Sequence, residues 1–125
     1  MMAGAGASQE ATVLLVYYSP EAHQRLEAVL SGMDVRAYPV NGRSPDAIES
    51  LRSHPAKVVV IDRGVQDVSV TQAVRRLGQV LPSSVVIAAV PDSLSVELYK
   101  GGRRMGLEAS LEAALMKYVH GAAAA

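Results

Sequence analysis

Val13-Leu14-Leu15-Val16-Tyr17-Tyr18-Ser19-Pro20 carries an apolar run without polar alternation straight into a helix start. A run of that kind reads as a strand buried on both faces. Ser-Pro supplies an N-cap and a preset first helical residue, and Glu21 follows with an acid in the first turn. Ala22, Leu26, Val29, Leu30 and Met33 then recur at helical spacing, with Gly32 near the stop.

The same grammar repeats along the chain. Residues 35–40 form a short second strand, and Ser44-Pro45-Asp46 starts a second helix through Ile48 and Leu51 that His54-Pro55 ends. KVVVID at 57–62 is a fully buried strand, broken by Gly64, and Val70, Val74, Leu77 and Leu81 outline a third helix before Pro82. VVIAAV at 85–90 is another buried strand, stopped by Pro91-Asp92. Leu107, Leu111, Ala114, Leu115 and Tyr118 predict a final amphipathic helix. Strands alternating with helices imply βαβ crossovers and an α/β fold around an open parallel sheet. Residues 91–106 are short for a helix plus a strand. A last strand at 96–100 is expected there, with the preceding helix shortened or missing; the alternative is a short helix at 92–100 and a vestigial strand near Met105.

Composition narrows the function classes. With 125 residues the chain reads as one domain at 11–120, with residues 1–10 and 121–125 as disordered terminal segments or linker. Phe and Trp are absent and five tyrosines are the only aromatics, so the core must be aliphatic. Twelve basic residues balance twelve acidic ones, which leaves no global field toward nucleic acid or an anionic membrane. The lack of cysteine excludes disulfides, thiolate catalysis and Cys-bound zinc. No apolar run approaches the roughly 20 residues of a spanning helix. MMAGAGASQE has neither a basic n-region nor an apolar h-region, so a cytoplasmic protein is expected.

Ligands of open parallel sheets collect at the carboxyl ends of the strands, which singles out Tyr17, Tyr18, Asp62, Ala89, Val90 and Lys100. Through VLLVYYSP, KVVVIDRG and the strand order, residues 12–120 resemble the receiver domain of bacterial two-component response regulators. That resemblance implies a flavodoxin-like sheet of order 2-1-3-4-5 and a phosphoacceptor position at Asp62. It also exposes departures. Tyr17 and Tyr18 stand where receivers place two metal-holding carboxylates, and a neutral phenol cannot supply their charge. Ala89 stands where a Ser or Thr is usual, Val65-Gln66 replaces Met-Pro, and Lys100 matches the receiver lysine only if the helix before it is gone. Loss of the metal removes most of the rate of phosphoryl transfer. The resemblance therefore implies a degenerate receiver with a vestigial Asp62, for which a structural salt bridge to Lys100 is one open role, and neither enzyme activity, metal nor cofactor is expected.

Other signals are weaker. His23, His54 and His120 lack metal-ligand spacing, and no nucleophile elbow is present. Gly101-Gly102-Arg103-Arg104 reads as a loop with two anion forks, a contact for a phosphate or an acidic partner, or else a solvated turn. The expected function is a phosphorylation-independent protein interaction or dimerisation module in bacterial signalling or transcription control. Its surface is the last strand and last helix, and nucleic acid enters only if the chain is part of a longer regulator. The alternatives are a small-molecule or nucleotide sensor using the strand-end crevice with the GGRR loop, and an atypical receiver still phosphorylated on Asp62.

Overall fold

In this computed structural model, residues 11–33, 35–44, 46–53, 56–64, 69–89 and 95–120 are described. The apolar runs form strands: β1 (Ala11–Tyr17), β2 (Val35–Asn41), β3 (Val58–Asp62), β4 (Val85–Ala89), β5 (Val96–Lys100) and β6 (Arg103–Glu108). They make one mixed sheet in the order β2-β1-β3-β4-β5-β6, so the protein is α/β.

Among the described residues three helices cover it: α1 (Pro20–Ser31), α2 (Val70–Val80) and α3 (Leu111–Leu115), the last continuing as a π-helical turn at Met116–His120. Each starts as its sequence dictates. Ser19, Ser69 and Ser110 sit at the N-caps and accept from the backbone N–H of Ala22, Gln72 and Ala113 at 3.2, 3.2 and 3.0 Å.

Alternate residues of each strand feed opposite faces of the sheet. Leu14, Val16, Tyr18, Val59 and Ile61 pack under α2, against Val74 and Leu77. Val13, Leu15, Val58, Val60 and Ile87 pack against Leu26 and Leu30 of α1 and Leu115 of α3. Full burial on both faces is why these strands carry no polar alternation.

Three sequence expectations are corrected. First, the sheet is not wholly parallel. β1 pairs in parallel with β2 and β3, and β3 with β4, but β4–β5 and β5–β6 are antiparallel. A parallel crossover needs about a dozen residues or more, and only residues 90–95 separate β4 from β5. The chain therefore turns back. The expected fourth helix falls mostly on residues 90–94, outside the described residues.

Second, the helix expected from Ser44 is reduced to a 3₁₀ turn at Glu49–Ser53, which buries Leu51. The expected start and stop signals at Pro45 and at His54-Pro55 lie outside the described residues.

Third, the GGRR segment is a hairpin rather than a loop before a helix. Gly101 and Gly102 have φ of 61° and 82°, the pair of positive values that a type I′ turn requires. Arg103–Glu108 returns as a strand, with a bulge that leaves Met105 unpaired between Leu98↔Gly106 and Tyr99↔Arg104. The edges are thus blunted, by this bulge in β6 and by Pro39 within β2.

Candidate strand-end site

β1, β3 and β4 end together, so Tyr17, Tyr18, Asp62 and Ala89 meet at one edge of the sheet, with Asp62 directly opposite Ala89. The two tyrosines part company there because successive side chains point to opposite faces. Tyr17 turns toward α1 and stacks on His23, with ring centroids 4.4 Å apart and planes within 10°. His23 in turn lies 3.2 Å from Glu27. Tyr18 turns toward α2 and is 4% exposed.

The chain after β2 is fitted around that second ring. Gly42 donates its N–H to the Tyr17 carbonyl at 2.7 Å, and Arg43 donates from Nε to the Tyr18 carbonyl at 2.8 Å. A Cβ on Gly42 would lie 2.3 Å from Cε1 of Tyr18, so only glycine admits the ring. Burial pushes the Tyr18 phenol above its ordinary pKa, and the negative charge of Asp62 adds to the rise against the opposing effect of Arg43. The phenol is a neutral hydrogen-bond donor at neutral pH.

Asp62 is 2% exposed, and its Oδ1 accepts the Gly64 N–H at 2.8 Å. No cation pairs with it among the described residues. The Arg63 N–H donates to the Ala89 carbonyl at 2.7 Å, which extends the β3–β4 ladder past the strand end. The Arg63 side chain is held elsewhere, by Glu97.

Glu97 arrives because β5 runs backwards. Lys100 pairs with Val85, the first residue of β4, whereas Glu97 pairs with Ala88 near its carboxyl end. Four residues along a strand span roughly 13 Å, so the Asp62–Lys100 salt bridge is not formed. In its place Glu97 accepts from Tyr99 Oη at 3.0 Å and faces Arg63 Nε at 3.0 Å and Arg104 at 3.8 Å. Burial and the bond to Glu97 raise the Tyr99 phenol pKa, against the two arginines.

Magnesium prefers near-octahedral oxygen ligation with carboxylates supplying charge. Among the described residues Asp62 forms no ion pair, and its neighbours at this strand end are phenols and a methyl group. Among the described residues no three His, Cys, Asp or Glu side chains cluster as metal ligands. The donors among the described residues do not fit the ion that receiver chemistry uses.

The GGRR turn and the strand-end crevice, joined in the sensor reading, are not brought together: the turn sits beside Val85, at the opposite end of β4. Arg103 stays exposed beside it, and only the Arg104 side chain reaches back, to Glu97. Arg43, Arg63 and Glu97 were not singled out by sequence. The signal that places Glu97 was present, since two strand-like runs joined by Gly-Gly read as a hairpin. His54, Val65, Gln66 and Val90 lie outside the described residues, as does the His120 side chain.

Comparison with protein-family models, with characterised proteins and with solved structures returns no match. No helix among the described residues is long and apolar enough to cross a membrane.

Proposed function

We propose that the chain is a degenerate, flavodoxin-like receiver that acts without phosphorylation, as a protein interaction module in bacterial signalling or transcription control. The observation that carries this reading is the environment of Asp62. The acceptor-like carboxylate lies beside Ala89 and the two tyrosines, with its lysine counterpart at the far end of the sheet and a Glu97–Arg63 pair nearby. Phosphoryl transfer depends on positioning and charge stabilisation, and both are missing from that set.

The interaction surface is the last strand and the last helix. Met105 and Leu107 on β6 are 47% and 56% exposed, and Met116 after α3 is 54% exposed, with Arg103, Arg104 and Lys117 as their chain neighbours. Exposed apolar side chains within a charged rim are the composition of a contact surface. The proposed occupant is a second copy of the chain. Sedimentation equilibrium over a wide concentration range tests it: a reversible monomer–dimer equilibrium is expected, and a strict monomer at the highest concentration contradicts the homodimer.

A further inference from the structure

A cleft of about 470 Å³ lies between the turn that precedes the 3₁₀ segment and α2. Its floor is the Tyr18 ring with Gly42 and Ala73, and Ile48 forms an apolar wall. The rim is polar, with Gln72 and Arg75 presented from one side of α2. We propose that this cleft binds a small organic anion built on a flat ring.

Three observations point to a ligand. The Tyr18 side chain lines the cleft, and its phenol oxygen, which is not a buried atom without a partner, is hydrogen-bonded to no described residue. A phenol O–H at the cleft wall can donate to a ligand acceptor. Arg75 is exposed on the rim and forms no ion pair among the described residues, whereas its neighbour Arg76 is committed to Glu49. The floor is closely packed, since Gly42 lies against the Tyr18 ring where no side chain has room. The volume lies within the range of small-molecule sites, which combine an apolar lining with a few placed polar groups.

In the bound arrangement the ring packs against the half-buried Ile48, a ring acceptor takes the Tyr18 O–H, and the anionic group meets the Arg75 guanidinium as a two-pronged fork. A mononucleotide and an aryl carboxylate share this chemistry. The cleft shares Tyr18 with the strand end that carries Asp62 but uses no contact to that carboxylate, so the titration tests it apart from the phosphorylation reading.

The test is an amide ¹H–¹⁵N titration of the whole chain with 5′-AMP, with salicylate and with inorganic phosphate, each taken into the millimolar range. Saturable shifts centred on Tyr18, Gly42 and residues 69–76 are expected with at least one of the two ring anions, and which one responds identifies the source. Arg75→Ala and the conservative Tyr18→Phe should each weaken that binding about fivefold or more. The inference is overturned if neither ring anion gives saturable shifts there, if inorganic phosphate binds as tightly as 5′-AMP, or if both variants bind like the parent.

Discussion

Glu97 holds Arg63 at 3.0 Å beside the strand end that carries Asp62, in the part of the sheet where the receiver resemblance expects a lysine. The exchange of a cation for an anion is a consequence of strand direction. When β5 is reversed, its last residue, Lys100, moves to the start of β4, and an interior residue, Glu97, takes its place. With Glu97 come Tyr99 and Arg104, so the group near this strand end is a polar network on the face of β5–β6 that carries Glu97.

That network predicts the effect of Glu97→Gln. The Glu97 side chain is 18% exposed and serves two arginines and a phenol, so its charge matters more than that of an isolated surface pair. Urea unfolding at neutral pH should show a loss of about 1–2 kcal/mol. A change within experimental error would mean that the arginines are satisfied by water.

Gly78→Ala separates local propensity from packing. Helix propensity alone predicts a gain of roughly 1 kcal/mol in α2. The added Cβ, however, would lie 2.1 Å from the Gly102 backbone N, where the β5–β6 turn docks on the helix. A loss of about 1–3 kcal/mol is expected, typical of overpacking against backbone. A stabilised variant would show that the turn does not dock there.

The two raised phenols set an alkaline limit. For Tyr18 and Tyr99 the folded-state pKa lies above the unfolded value near 10, so the native state binds the proton more tightly. Their contribution is fully present below that unfolded value and is lost as pH rises through the folded one. Stability measured by urea should fall once pH passes about 10, and Tyr18→Phe should flatten that fall. An unchanged slope would remove Tyr18 as its cause.

Leu107→Lys tests the β6 surface. The side chain is more than half exposed, so the substitution should leave the unfolding free energy within about 0.5 kcal/mol. The same substitution should weaken the dimer at least tenfold in sedimentation, because it buries a charge in an apolar contact. Unaltered self-association would place the interface elsewhere.

Much of the α/β framework was legible because its signals are local. β1, β3 and β4 are continuous aliphatic runs, and Ser19-Pro20 starts α1 with the cap that its residues imply. The second half was less legible because its elements are fixed by pairing. Arg103–Glu108 contains no β-branched or aromatic residue, and it becomes a strand through the ladder to β5. Leu107 fits the helical period of Leu111, Ala114 and Leu115, yet it lies in β6, and the helix begins only after the Ser110 cap. The site was legible in part: Tyr17, Tyr18, Asp62 and Ala89 follow from where three buried strands stop. Glu97 and Lys100 depend on the direction of one strand, which hydrophobic periodicity does not encode. Counting residues 90–95 and reading Gly101-Gly102 as a turn would have supplied it.

The most direct test of the central claim is the amide ¹H–¹⁵N spectrum recorded with Mg²⁺ and then with beryllofluoride, which mimics a phosphoryl group on an aspartate and needs the metal to bind. The account predicts no shifts at Asp62, Gly64 or Ala89 after either addition. Metal-dependent, saturable shifts centred on Asp62 would contradict it and make the chain a working receiver.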